Sequence, residues 1–291
     1  MKTLLTVSLC SLCLATATAF GKPDAQEAAK MLADGNARFV AGSATHPRSD
    51  MKRATLAAKS DQADYAMATL VSCSDSRVPP EILFDTGIMD LFMIRVAGNV
   101  CSSDEIGSAE YGVFHAKTPL LIVMGHSKCG AVTAVVKATK GEGHALEKNI
   151  PPLVAPVGPA VQKVLQAFPQ ATMDNLIIRS TEENVWQGVE NIFLRSAAIR
   201  EAALAGKVKV MGAIYDLESG KVRFLSDEKC AEVLKNAEAS PTRETQKMAG
   251  GGGHHEESKE AAEPAKAASA HEAAEKEPVA HAEPAEAPAH H

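Results

Sequence analysis

The sequence predicts an α/β fold: a mostly parallel sheet of about four strands with an antiparallel edge strand, and helices on both faces. Three observations lead there. Four short, apolar, β-capable runs at 65–72, 91–98, 119–126 and 208–216 are separated by segments of helical periodicity. These runs are continuous and do not alternate apolar with polar, which is how strands covered on both faces of a parallel sheet read. After the last run, Glu218-Ser219-Gly220 turns the chain into KVRFL at 221–225, a hairpin signal that gives the edge its opposite direction.

Each element has its own warrant. Residues 24–42 place Met31, Leu32 and Phe39 at helical spacing, with an interruption expected near Gly35. The first strand run ends where CSDSRVPPE begins, and LFMIRVAG (91–98) is the second. Ser102 and Glu105 have the spacing of a capping box ahead of a helix over 106–116. PLLIVMGH (119–126) is the third strand run, followed by helical patterns at 130–139 and 153–168. The strongest helix spans 182–205, with Val185, Val189, Ile192 and Phe193 on one stripe and Gly206 as its stop. Trp186, the lone tryptophan, sits on the apolar side of that helix and is expected in the core. VKVMGAIYD (208–216) is the fourth strand run.

The two ends are of different material. Lys2 precedes an apolar run over 4–14 and then Ala17-Thr18-Ala19, which reads as a secretory signal over 1–19, cut before Phe20. That run is too short to span a bilayer, which takes about 20 apolar residues. Export follows, to the periplasm or beyond it. From 238 to 291, Ala, Glu, Pro, Lys and His dominate, and 11 acidic residues face 5 basic ones. Such a segment cannot bury enough apolar surface to offset its ordering entropy, so it is expected to be a disordered tail. One domain remains over 20–237. It holds 25 acidic and 24 basic residues, and this near-balance gives no electrostatic footprint for nucleic acid.

Four cysteines follow the signal: Cys73, Cys101, Cys129 and Cys230. In an exported protein disulfides are the default expectation, and Cys101 with Cys230 suits either a disulfide or two buried thiols. Cys73 and His126 stand at the carboxyl ends of the first and third strand runs, where open α/β sheets bind ligands. Cys129 follows His126 by three residues at the entrance to a helix, whose dipole favours a thiolate. Two thiolates and an imidazole suit tetrahedral zinc. The spacing alone also suits a Cys73–Cys129 disulfide or ordinary buried thiols. Asp75 and Arg77 follow Cys73 closely, so the carboxylate can serve a bound water while the arginine fork keeps it ionised and off the metal.

Taken in order, CSDSR (73–77), RVAGN (95–99) and GHSKCGA (125–131) resemble the signature of the β-class carbonic anhydrases, and the resemblance extends over about residues 24–228, GNARF (35–39) included. It implies zinc-dependent reversible hydration of carbon dioxide to bicarbonate and a proton, by hydroxide generated at Zn2+. It further implies zinc on Cys73, His126 and Cys129, a catalytic dyad of Asp75 and Arg77, and a homodimer or higher even oligomer. In some members the aspartate closes the site as a fourth ligand, a role open to Asp75. Members with a non-catalytic bicarbonate pocket carry tryptophan where Leu70 stands here; Arg95 matches that pocket's arginine, but alone it makes no pocket, so weak or absent bicarbonate regulation is expected. Gln62 is the nearest candidate for the family's substrate-binding glutamine across the dimer interface, though it lies farther from Cys73 than that residue does.

Two other readings stay open at this point. The same zinc set would serve a hydrolase of carbonyl sulfide or carbon disulfide. Alternatively, six of the ten histidines lie in the tail (His254, His255, His271, His281, His290 and His291), which suits a zinc-binding protein that is not an enzyme.

Overall fold

The computed structural model describes residues 21–248. The signal read over 1–19 and the tail from 249 onward lie outside the described residues. One sheet holds β1 (Ala68–Ser72), β2 (Leu91–Arg95), β3 (Leu120–His126), β4 (Lys209–Tyr215) and β5 (Val222–Phe224), in the order β2-β1-β3-β4-β5. The first four are parallel to their neighbours and β5 pairs antiparallel with β4, as the sequence predicts. The helices are α1 (Ala25–Val40), α2 (Met51–Ala57), α3 (Pro80–Leu83), α4 (Ser103–Phe114), α5 (Gly130–Thr139), α6 (Ile150–Val154), α7 (Gly158–Ala167), α8 (Met173–Arg195), α9 (Ala197–Leu204) and α10 (Asp227–Ala239). No helix among the described residues is long and apolar enough to cross a membrane.

Burial on both faces explains why the strands lack alternation. In β3, Leu120, Ile122 and Met124 pack with Ala28 and Leu32 of α1 and Leu83 of α3. Leu121 and Val123 point the other way, into a layer with Ile106 of α4, Val185, Val189 and Ile192 of α8 and Ile199 of α9. Trp186 joins this second layer, as expected. A third cluster, with Val132 and Val136 of α5, Val161 and Val164 of α7 and Leu176 of α8, lies against Cys73 and Cys129. That cluster backs the site.

Several elements differ from the sequence reading for identifiable reasons. The first helix runs through Gly35 without a break. A Cβ there would sit 1.8 Å from the Phe84 carbonyl oxygen, so the glycine permits close approach of α1 to the end of α3. The helix expected over 153–168 is divided by a tight turn at Ala155–Val157, where Pro156 supplies no N–H. The helix expected over 182–205 begins earlier, at Met173, and breaks at Ser196. Ser196 is extended; its hydroxyl accepts from the Ile199 N–H and donates to Glu110, capping α9.

The domain boundary at 237 also moves. Helix α10 continues through Ala239, and Glu238 pairs with the buried Arg200 at 2.8 Å. Arg200 further donates to the carbonyls of Phe193 and Glu244, and the Glu244 N–H donates to the Leu194 carbonyl at 2.7 Å. A buried guanidinium needs such partners, and they draw the start of the low-complexity stretch onto the domain. Cys101 and Cys230 are both free and buried. Burial pushes both thiols up, that of Cys230 to about 12, and the Cys230 thiol donates to the Val210 carbonyl.

Candidate metal centre

From β1 the chain passes to β2 on one side and then returns to β3 on the other side of β1. Strand order therefore reverses at β1, and a crevice opens beyond the carboxyl ends of β1 and β3. Cys73 is the residue that leaves β1, His126 ends β3, and Cys129 caps the N-terminus of α5. One ligand atom from each converges, all lying within 4.8 Å of one another, and all three residues are buried. Cys73 and Cys129 are both free thiols, which removes the disulfide reading.

The imidazole is set up as a ligand. Its Nδ1 lies 3.0 Å from the Ser127 carbonyl oxygen, which can only accept, so Nδ1 carries the proton. Nε2 then presents a lone pair toward the two sulfurs. It is fully buried and no group among the described residues hydrogen-bonds to it. A buried ring nitrogen in that condition is costly unless something electropositive meets it. The sulfurs tell the same story. The Cys129 thiol, against the opposing effect of burial, and then the His126 ring and backbone donors that include the Gly98 N–H at 3.4 Å, hold the Cys73 thiol well below its ordinary range. The Cys73 sulfur and then burial push Cys129 up. A divalent ion bound here would take both sulfurs as thiolates and displace their protons. Zinc fits this donor set by number, type and closure.

Asp75 and Arg77 form the pair expected of them. Arg77 donates from Nε to Oδ1 at 2.9 Å and from Nη2 to Oδ2 at 2.6 Å, and its own N–H reaches Oδ1 at 2.9 Å. The Arg77 hydrogen bonds, stronger than the opposing effect of burial, hold the Asp75 carboxyl well below the usual carboxylate range. Oδ2 stands 3.9 Å from His126 Nε2, so the carboxylate faces the ligand cluster. The Arg77 side chain is 53% exposed against 17% for Asp75, which places the guanidinium between the carboxylate and solvent. Arg77 Nη2 also reaches the Lys128 carbonyl at 3.2 Å. Lys128 has a left-handed backbone (φ 57°), a strained choice for a lysine, in the turn that delivers Cys129.

Gln62 is not brought to this cluster within the chain. It lies in the short turn Gln62–Asp64 that precedes β1, at the strand end opposite Cys73. Leu70 is buried in the core. The sequence reading missed the supports. Ser127 donates to Asp216 at 3.0 Å and accepts from the Leu217 N–H at 2.9 Å, and Asp216 is further held by Ser219. This anchors the residue whose carbonyl orients His126. The available signal was position: Asp216 directly follows Tyr215, which pairs in register with His126. Gly98, within RVAGN, has a left-handed backbone, donates to Cys73 and accepts from Asn184 at 2.7 Å, which gives that motif a physical role.

Known proteins agree with this geometry. A sequence model described as carbonic anhydrase matches residues 68–222. The chain is similar to a carbonic anhydrase of Mycolicibacterium smegmatis, 38% identical over 197 residues that cover 68% of this chain and 91% of the relative. Carbonic anhydrase 2 of Mycobacterium tuberculosis is 36% identical over 195 residues, covering 66% and 88%. Among solved structures, a β-carbonic anhydrase of Aspergillus fumigatus shares the fold with a TM-score of 0.56 at 24% identity, covering 64% of this chain and 86% of that one. A Coccomyxa β-carbonic anhydrase in complex with acetazolamide gives 0.52 at 25% identity, covering 69% and 84%. With the expected motifs converged at one crevice and these relatives spanning the same residues, the chain belongs to the β-class carbonic anhydrases.

Proposed function

We propose that the chain hydrates carbon dioxide reversibly to bicarbonate and a proton, with Asp75 and Arg77 as the working pair beside a zinc held by Cys73, His126 and Cys129. One observation carries this reading: the three ligand atoms converge within 4.8 Å while the Asp75 carboxylate is held 3.9 Å from His126 Nε2. Bound in this pocket, zinc supplies the Lewis acidity that makes hydroxide available near neutral pH.

The protein's own groups do the rest. Asp75 Oδ1 accepts from both Nε and the backbone N–H of Arg77, while Oδ2 accepts only from Nη2 and keeps a lone pair, so Oδ2 can accept a hydrogen bond from water and receive its proton. Arg77 keeps that oxygen ionised and aimed, and its exposed flank opens the route by which the proton leaves. The valines of α5 and α7 behind the sulfurs exclude water from the rear of the site and suit an apolar, linear substrate. Arg77 also holds Asp75 away from the ligand cluster; release of that fork is what a closed state, with Asp75 as fourth ligand, would require.

Export to the periplasm, or beyond it, is supported by the 1–19 segment. Assembly as a homodimer or larger even oligomer is supported by membership of a family with oligomeric members, one from Sordaria macrospora being described as tetrameric. In such an assembly Gln62 would serve a neighbouring subunit's site, since it stands at the far end of its own β1. The deciding experiment is zinc analysis of the mature protein with stopped-flow carbon dioxide hydration across pH, run beside carbonyl sulfide turnover. One zinc per chain with fast hydration is expected. A large preference for the sulfide, or several labile zincs without hydration, overturns the reading.

A further inference from the structure

Arg95 does something other than complete an anion pocket. It ends β2, and its side chain crosses to the neighbouring strand's exit loop. Nε donates to the Cys73 carbonyl at 3.1 Å and Nη2 donates to the Asp75 carbonyl at 2.8 Å. The β1–β2 ladder continues alongside it, with the Val96 N–H donating to the Ser72 carbonyl and the Ser74 N–H to the Val96 carbonyl. One guanidinium thus bridges the backbone of a metal-ligating cysteine and the backbone of the catalytic aspartate, two residues apart. Only a planar fork with several donors can hold both oxygens at once; lysine reaches one.

We propose that Arg95 is a positioning residue for the hydration reaction, fixing the height of the Asp75 carboxylate relative to the Cys73 sulfur. The loop's other ties lie elsewhere along it: the Ser74 N–H to the Val96 carbonyl, the Val78 N–H to the Asp75 carbonyl, the Gly98 N–H to the Cys73 sulfur and Arg77 to the Lys128 carbonyl. Without the fork, the Cys73 carbonyl loses its Arg95 partner, the Asp75 carbonyl keeps only the Val78 N–H, and the direct bridge between the two backbones is gone. Arg95 is itself exposed on its outer side, so its removal leaves the hydrophobic layers intact. The effect on the site is separable from an effect on the fold.

The proposal rests on the hydration reading, and its test therefore has a readout that does not depend on turnover. Zinc-loaded wild type, Arg95→Gln and Arg95→Lys are compared for zinc release to a chromogenic chelator, for the kcat and KM of carbon dioxide hydration, and for thermal stability. Arg48→Gln serves as control; it breaks the Arg48–Asp90 pair at the opposite end of β2. Outer-sphere supports are worth about 10–100-fold in metal affinity or activity. Zinc release from Arg95→Gln is expected to accelerate by about that factor, with kcat reduced, KM near wild type, and Arg95→Lys in between. Wild-type zinc release together with wild-type kcat in Arg95→Gln overturns the proposal. So does equal acceleration in Arg48→Gln, which would make the effect one of general stability. Were wild type to hold zinc but hydrate nothing, the functional reading would fail while the release rates still judged Arg95.

Discussion

Replacing Asp75 by asparagine isolates the proton acceptor from everything else in the site. The side chain keeps its shape, but one acceptor oxygen becomes an amide that can only donate. Arg77 approaches both oxygens, at 2.9 and 2.6 Å, so one of its two fork contacts turns into a clash of donors. Whichever way the amide settles, the atom facing His126 Nε2 can no longer take up a proton. A positioned proton acceptor contributes about 10²–10⁴-fold to rate, or roughly 3–5 kcal/mol of barrier. The converged ligand set does not include Asp75, so zinc should stay at one per chain. Zinc content and stopped-flow hydration measured on the same preparation check both halves. We expect full zinc, kcat lower by about 10² or more, and a largely unchanged KM. A fully loaded variant turning over at the wild-type rate would refute the assignment of Asp75.

Other substitutions probe the supports. Arg77→Lys keeps the charge but cannot fork across Asp75 or reach the Lys128 carbonyl, so hydration should fall by about tenfold while zinc remains. Ser127→Ala removes the anchor between Asp216 and the carbonyl that orients His126; zinc affinity, measured by chelator competition, should weaken about 10–100-fold. Gly35→Ala forces a Cβ against the Phe84 carbonyl and should cost about 1–3 kcal/mol, read as a Tm lowered by several degrees. Asp85 is buried, which alone would raise it, but Arg38 and the N–H groups of Thr45 and His46 hold it at about 2. Its folded value lies below its ordinary 3.8, so its contribution is complete above that pH and is lost as pH falls toward 2. Acid titration of wild type against Asp85→Asn should show a stability gap at neutral pH that closes below that window.

The parallel sheet was legible because each strand, enclosed by helices, had to be apolar throughout, and because the turn at 218–220 allowed β5 a single direction. The ligands were legible because the ends of parallel strands are where such sheets place chemistry, and Cys73 and His126 stood at two of them. What escaped had other causes. Ser196 sits within a continuing helical pattern, and only its tertiary contact with Glu110 shows why the helix must break there. Gly35 looked like a helix breaker because periodicity carries no information about the backbone that a helix will meet. The persistence of the fold past 237 depends on Arg200, a buried charge whose need for Glu238 and for the Glu244 carbonyl appears only once α8, α9 and α10 are packed. Ser127 and Asp216 are ordinary residues in ordinary turns until β3 and β4 are set in register.

The placement of these supports follows from the topology. The inner strands β1 and β3 deliver the ligands, and their exit loops emerge where the ladder of backbone hydrogen bonds is ending. Loops there are the least restrained part of such a sheet, yet a metal site tolerates errors of only about half an ångström. The strands that flank this pair make good the difference. From β2, Arg95 reaches the carbonyls of the β1 loop; from the end of β4, Asp216 holds Ser127 in the β3 turn. Between the two loops, Arg77 crosses from beside Asp75 to the Lys128 carbonyl, so the residue that keeps the carboxylate charged also ties the first ligand's loop to the third ligand's turn. Proton handling and metal geometry are therefore mechanically coupled: whatever shifts the Arg77 fork moves the acceptor and strains the turn that carries Cys129 together.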